Sequence, residues 1–170
     1  MKQVTQKRLK PASEVIELEP FGLTAGMDKT RPVMLFREKG GESVLPVWLS
    51  ALDAGIAITQ NNAQTFALSP HDITLHALTT LGVRPARCHF KELRGHQQYV
   101  ELQFTGSKRL KNIEARADHA ISFCLQAKMQ FFCTRGYLER CRDVEAEIEF
   151  TKTSHGARAD QRRPRHPYLN

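Results

Sequence analysis

The strongest constraint on this chain of 170 residues is a local pattern that occurs twice. In each copy, two strand-like segments flank a short turn, Gly40-Gly41 in the first copy and Gly106-Ser107 in the second. Each copy then leads into a helix, which begins near residue 50 or near residue 116. The strand segments are 33–36 with 44–49, and 99–104 with 110–115. Strand pairs separated by helices predict a single α+β domain with a mixed β-sheet, built from two quasi-repeated hairpin–helix units.

A further helix is predicted between the two copies, over Ser69–Leu81. Ser69 is a favourable capping residue, Pro70 suits the first helical position, and Gly82 follows the end. Its apolar stripe would consist of Ile73, Ala77, Leu78 and Leu81. The other predicted strands are 15–19, 86–90, 130–134 and 144–150, of which the last is an edge strand. The other predicted helices are 117–128 and 135–142. Residues 20–30 are predicted to form a loop. In the helix near residue 50, Leu52, Ile56 and Thr59 share one face.

The positive charge of the chain is concentrated at its ends. The net charge is +7, and residues 1–10 and 151–170 carry +4 each, which leaves −1 for residues 11–150. We therefore divide the chain into a basic disordered arm (1–12), a domain (13–150) and a basic disordered tail (151–170). The tails suit contact with a polyanion or plain solvation, and charge alone does not decide between them.

Composition narrows the class of protein further. No apolar run is long enough to span a bilayer, and the N-terminal residues resemble no secretory signal, so we expect a cytoplasmic protein without membrane contact. The four cysteines lack metal-ligand spacing and are interpreted as buried thiols of a reducing compartment. A zinc site that includes Cys133 and Cys141 is the alternative.

Several short motifs occur in an order that resembles the bifunctional nuclease domain family. The motifs are Leu45-Pro46-Val47-Trp48, Asp53-Ala54, His71-Asp72, Glu114-Ala115-Arg116 and Ala120-Ile121. The resemblance covers roughly residues 15–141 and implies cleavage of DNA and RNA. It also implies that the catalytic residues are His71, Asp72, Asp53, Arg116 and His119.

Each carboxylate in this set also has a structural interpretation. Asp53 follows Ser50 by three residues and Asp72 follows Ser69 by three, the spacing of a helix-capping pair. His71 has no such explanation; in the first turn of a helix, the dipole favours a neutral imidazole that can accept a proton or bind a metal.

The motif that begins at Glu114 departs from the family pattern, which reads Asp-Ala-Arg-Pro-Ser-Asp-Ala. This chain keeps Arg116, replaces the first acid with Glu114, lacks the Pro-Ser pair and has His119 in place of the second acid. Arg116 could hold a phosphate or form an ion pair with Glu114 or Asp53. The exchange at position 119 removes a hard oxygen ligand and weakens the expected activity, if Mg²⁺ is needed.

The sequence therefore predicts a nuclease-like protein that hydrolyses RNA, DNA or both. A metal-dependent form would use Mg²⁺ or Mn²⁺, whereas a metal-free form would use histidines as acid and base; both stay open. The candidate nucleic-acid contacts are Arg87, Lys91, Arg162, Arg163 and Arg165. The alternatives are a non-catalytic nucleic-acid- or protein-binding module of the same fold and, third, a small-molecule sensor. Exposed sheet edges also predict a homo-oligomer.

Overall fold

The computed structural model describes residues 12–25, 31–55 and 69–142. These residues form seven strands and four helical segments, an α+β fold with one mixed sheet. The strands are β1 (Val15–Ala25), β2 (Pro32–Glu38), β3 (Val44–Trp48), β4 (Arg84–Arg94), β5 (Gln97–Thr105), β6 (Asn112–Arg116) and β7 (Gln130–Thr134). The helices are α1 (helical over 51–55), α2 (Pro70–Thr80), α3 (Ala117–Gln126) and α4 (helical over 135–142).

The two predicted hairpin–helix units are confirmed as β2-β3-α1 and β5-β6-α3. Both hairpins are antiparallel, and each is extended by one more antiparallel strand, β1 or β4. The strand order β3-β2-β1-β7-β4-β5-β6 places β7 between these two three-stranded halves. It pairs antiparallel with β1 and parallel with β4, and the parallel pair is possible because the long connection through α3 returns the chain in the same direction.

The sheet curls around the helices, which brings strands from opposite halves together. The side-chain amide of Gln98 at the start of β5 donates to the carbonyl of Pro46 in β3, at 3.0 Å, although β3 and β5 are far apart in the strand order. The interior contains side chains of the sheet and of the last two helices. The largest fully buried ones are Tyr137, Phe36, Phe90, Leu45, Ile121, Leu138, Val47 and Val100. All four cysteine side chains are buried as well.

The predicted loop over 20–30 is wrong in its first part, because β1 continues to Ala25. Turn-forming residues led to that prediction, but the strand accommodates them at a β-bulge between Pro20 and Gly22. Val15–Leu18 pair with β7, and beyond Leu18 the described strands give β1 a partner on one side only. Proline lacks a backbone donor and is tolerated at such a bulge.

Helix α2 begins and ends as the sequence predicts. Ser69 and Asp72 form a reciprocal capping box, and Gly82 follows with φ of 72°, a conformation that favours glycine. The predicted apolar stripe does not form a buried face, however. No residue of α2, which is described throughout, is buried, and Ile73 and Leu81 are 60% and 76% exposed. Leu52 in α1 is likewise 74% exposed, and the other two residues of its predicted face, Ile56 and Thr59, lie outside the described ranges.

Some predictions fall on residues outside the described ranges. These are most of the N-terminal arm, the last part of the helix that begins near residue 50, the strand over 144–150 and the basic tail. Among the described helices, none has both the length and the apolar character that a membrane span requires.

Candidate functional site

The starts of three helices, from both halves of the chain, meet around the carboxylate of Asp53. Asp53 belongs to α1, His71 to the first turn of α2, and His119 to the first turn of α3. Oδ1 of Asp53 lies 4.0 Å from Nε2 of His71, and Oδ2 lies 3.6 Å from Nδ1 of His119. The fold thus brings together three residues that are far apart in the sequence and that the family resemblance selected.

Asp53 is buried and hydrogen-bonded on both carboxylate oxygens. The Ser50 hydroxyl caps the helix by accepting from the backbone N–H of Asp53 at 3.1 Å, and it also donates to Oδ2. The Ser122 hydroxyl of α3 donates to Oδ1 at 2.6 Å. The expected capping role of Asp53 is therefore present, but the carboxylate also connects two helices. A buried charge with several donors is stable in a position where an unpaired one would be costly.

Ser122 also determines how the imidazole of His71 is oriented. Nε2 of His71 lies 3.1 Å from the Ser122 hydroxyl oxygen, whose single proton is donated to Asp53. With the Ser122 proton donated to Asp53, Nε2 of His71 is the donor in this contact, and in that tautomer Nδ1 is the nitrogen able to accept a proton. The ring of Phe123 packs edge-on against His71 with centroids 6.0 Å apart. His71 is thus held in place from two sides.

His119 is the open side of the cluster. Its side chain is 59% exposed, whereas that of His71 is 18% exposed. Its second ring nitrogen, Nε2, lies 3.9 Å from Oδ1 of Asp118. The imidazole at the position of the family's second acid is therefore placed between two carboxylates and can be reached by a ligand from solvent.

Asp72 contacts Ser69 and Gln126 rather than Asp53. Its carboxylate accepts from the backbone N–H and the hydroxyl of Ser69, at 2.9 and 2.7 Å, and from the side-chain amide of Gln126 in α3. These hydrogen bonds, above all that from the Ser69 hydroxyl, lower the pKa of Asp72. In the described structure Asp72 caps α2 and attaches it to α3.

Arg116 has a different partner from those considered in the sequence. It makes a two-point contact with Asp118, through Nε to Oδ1 at 3.0 Å and through a terminal nitrogen to Oδ2. The expected ion pair with Glu114 or Asp53 is wrong, since Glu114 accepts from Arg94 at 2.8 Å instead. The hydrogen bonds that Arg116 donates to the Asp118 carboxylate raise the pKa of Arg116. Two of its five N–H donors are used in this contact.

Arg87 and Lys91 lie on the outer face of β4, where they alternate with buried Cys88 and Phe90. The guanidinium of Arg87 lies 5.6 Å from the ring centroid of Phe132 in β7, and Lys91 lies 3.9 Å from Glu101. Between them, His89 stacks on Phe132, and burial lowers its pKa. The other candidate contacts, Arg162, Arg163 and Arg165, are outside the described residues.

Ser122, which connects Asp53 with His71, is not predicted from the sequence. The sequence gives no periodic signal for it, because at helical spacing Ser122 lies outside the apolar stripe of α3 that contains Ala117, Ile121 and Cys124. A fully buried hydroxyl requires a hydrogen-bond partner. Only the fold identifies that partner, however, because Asp53 is 69 residues away in the chain.

The donor set around Asp53 does not fit the divalent ion that the resemblance implied. Mg²⁺ prefers near-octahedral oxygen ligands, whereas the groups closest to Asp53 here are two imidazoles and two serine hydroxyls. Both oxygens of Asp53 already accept hydrogen bonds. Within residues 12–25, 31–55 and 69–142, no group of three or more His, Cys, Asp or Glu side chains could hold a metal ion.

Comparison with known proteins agrees with the motif order. Two proteins of Mycobacterium tuberculosis, the uncharacterized proteins MT1877 (strain CDC 1551) and Rv1829 (strain H37Rv), are each 23% identical to this chain over 123 residues. The aligned part spans 72% of this chain and 73% of each relative. The family model of the bifunctional nuclease domain matches residues 33–145, which include both hairpin–helix units and all three members of the Asp53 cluster. This chain belongs to the bifunctional nuclease domain family.

Proposed function

We propose that the protein cleaves phosphodiester bonds of RNA, DNA or both at the cluster of Asp53, His71 and His119. The observation that carries the proposal is the approach of both histidines to the two oxygens of one buried carboxylate. Two imidazoles can remove a proton from the nucleophile and supply one to the leaving oxygen, the two proton transfers that phosphodiester cleavage needs. Asp53 orients both rings, through Ser122 on one side and directly on the other.

Substrate access and phosphate contact fit the same arrangement. His119 is the exposed member, so a phosphodiester in solution reaches the cluster from its side. Asp118 lies between His119 and Arg116, and the remaining N–H donors of Arg116 are suited to the non-bridging phosphoryl oxygens. Family membership supports a nuclease-related activity, whereas the assignment of these residues to steps is our proposal.

A cleavage assay with matched histidine variants tests the proposal. Purified protein is incubated with fluorescently labelled single-stranded RNA and DNA, with Mg²⁺, with Mn²⁺ and with chelator. We expect His71→Ala and His119→Ala each to lower the cleavage rate by about 10²-fold or more, the usual contribution of a general acid or base. His76→Ala on the exposed side of α2 and His96→Ala in the β4–β5 turn are controls that should keep wild-type rates. Equal residual cleavage by all five proteins would indicate a contaminant and end the proposal.

The same contacts also support a second function, binding of nucleic acid without cleavage, in which the contacts only stabilise the fold. The carboxylates of Asp53 and Asp72 each accept hydrogen bonds from the capping serine of their own helix and from a side chain of α3, and Arg116 is paired with Asp118. A family member with these features can bind nucleic acid without cleaving it. In that case the wild-type protein shifts labelled RNA or DNA in a binding assay, the shift weakens when Arg162, Arg163 and Arg165 are changed to glutamine, and no labelled substrate is cleaved.

A further inference from the structure

We infer, on the basis of the proposed function, that this site cleaves RNA and not DNA, with the substrate's own 2′-hydroxyl as the nucleophile. Among the residues that the structure describes, the cluster offers proton-transfer groups on both sides of Asp53 but not the set of oxygen ligands that would hold a metal-bound hydroxide. A nucleophile that is already part of the substrate removes the need for an activated water. RNA contains that nucleophile at every nucleotide, and DNA does not.

The hydrogen-bond order in the cluster indicates which histidine acts as the base. The Ser122 hydroxyl is placed to donate to Asp53 and to accept from Nε2 of His71, and in that tautomer Nδ1 is the nitrogen that can accept a proton from a substrate. His71 is also the less exposed ring and the one held by Phe123. A base with a single tautomer and a fixed orientation suits removal of a proton from a positioned hydroxyl.

His119 is then the acid. Its two ring nitrogens lie 3.6 Å from Asp53 and 3.9 Å from Asp118, so a ring that is protonated on both nitrogens has a carboxylate near each of them. This arrangement is absent if position 119 is an acid, as in the family pattern. The exchange that weakens a metal-dependent mechanism therefore supplies the second proton-transfer group of a metal-free one.

The step balances without a co-reactant. His71 takes the proton of the 2′-hydroxyl as the 2′-oxygen attacks phosphorus and forms a new P–O bond. The bond from phosphorus to the 5′-oxygen of the next nucleotide breaks, and His119 gives its proton to that oxygen. The products are a 2′,3′-cyclic phosphate and a free 5′-hydroxyl. After the step His71 holds one extra proton and His119 lacks one, and exchange with solvent restores both rings.

Oligonucleotides that differ at one sugar test this inference. The full-length protein is incubated, in chelator, with an all-DNA strand, with the same strand carrying a single ribonucleotide, and with that ribonucleotide 2′-O-methylated. We expect cleavage only after the unmodified ribonucleotide, at least about 10²-fold faster than for the other two strands, with a 2′,3′-cyclic phosphate and a 5′-hydroxyl identified by mass spectrometry. His71→Ala and His119→Ala proteins, purified in the same way, should be inactive, and His76→Ala should be active.

The outcomes separate this inference from the proposal on which it rests. Cleavage of the all-DNA or methylated strand at a similar rate, dependence on added metal, or 5′-phosphate products would overturn the ribose mechanism and leave phosphodiester cleavage intact. If the wild-type protein cleaves none of the three strands faster than His71→Ala does, both the ribose mechanism and the proposed phosphodiester cleavage are refuted.

Discussion

At the scale of single residues, the candidate site depends on one buried hydroxyl. Ser122 is fully buried, donates a hydrogen bond to Asp53 and contacts Nε2 of His71. It therefore connects Asp53 on α1 with the imidazole on α2. Serine and alanine differ in volume by little more than the hydroxyl oxygen. A change to alanine therefore removes these contacts with little other disturbance.

We expect Ser122→Ala to lower the free energy of unfolding by about 1–3 kcal/mol, because Oδ1 of Asp53 stays buried and loses its donor. The cleavage rate should also fall, since His71 loses the contact that selects its tautomer. Urea denaturation measures the first effect and the RNA assay measures the second.

A double-mutant cycle with Asp53→Asn separates the Ser122–Asp53 contact from general destabilisation. Residues in direct contact usually show a coupling energy of about 0.5–3 kcal/mol. Additive losses of stability in the Ser122→Ala/Asp53→Asn protein would contradict the assigned contact.

The residues that could be predicted from the sequence are those that occur in local motifs. Asp53 and His71 were selected because each lies at a helix start, in a motif order that a family shares, and the structure places them together with His119. Ser122 and the pairing of Arg116 with Asp118 could not be identified in that way. A hydrogen bond across 69 residues depends on how α3 packs against α1, which no local pattern encodes.

At the scale of elements, an ion-paired cluster attaches the start of α4 to the sheet. Arg135 makes a two-point contact with Glu38 at the end of β2, at 3.0 and 2.7 Å, and a third with Glu14, just before β1, at 3.3 Å. The side chains of Arg135 and Glu38 are only 13% and 12% exposed. Bidentate pairs that are shielded from water stabilise more than surface pairs do.

We expect Arg135→Ala to lower the free energy of unfolding by about 3 kcal/mol, because the largely buried Glu38 carboxylate loses the two hydrogen bonds and the positive charge of Arg135. Arg140→Ala is the matched control: it removes the same side chain from an exposed position of the same helix and should change stability by less than about 0.5 kcal/mol. Thermal and urea unfolding of both variants measure the difference. A similar loss in the two variants would show that α4 is not held through this cluster.

Element boundaries were predictable where local chemistry determines them. The capping box of α2 and the strand over Gln130–Thr134 agree with the sequence analysis. The extension of β1 past Pro20 and the exposure of Ile73 in the predicted apolar stripe do not. In those cases the outcome depends on which strand or helix lies alongside, so turn propensity and apolar periodicity alone gave the wrong answer.

At the scale of the whole molecule, the duplicated plan was predictable but the strand order was not. Each half is a local antiparallel meander, which turn residues and alternation indicate. The insertion of β7 between β1 and β4 depends on pairing between residues more than a hundred positions apart, such as Ile16 with Cys133. The order leaves β3 and β6 at the two ends of the sheet, and a homo-oligomer through such edges stays a prediction.

The outer face of the sheet offers a whole-molecule test of how a nucleic-acid strand reaches the site. Arg87 and Lys91 lie on this face of β4, with Phe132 of β7 beneath the Arg87 guanidinium, so the face combines positive charge with an aromatic ring. A single strand held there would have its phosphates near basic side chains and its bases near an aromatic surface. We therefore expect the two basic residues to contribute to affinity rather than to the chemical step.

The double variant Arg87→Gln/Lys91→Gln should bind a 20-nucleotide single-stranded RNA more weakly than the wild-type protein. The slope of log Kd against log salt concentration should fall by about 1.4, because two phosphate contacts on a single strand are lost. Cleavage of a dinucleotide, which is too short to reach from the helix starts across the sheet, should be unchanged. Lys108→Gln/Arg109→Gln in the β5–β6 turn removes the same charge from another exposed surface and serves as the control, measured by fluorescence anisotropy over a salt series. Because both double variants lower the net charge equally, equal losses of affinity would mean that the total charge, and not this face of the sheet, attracts the strand.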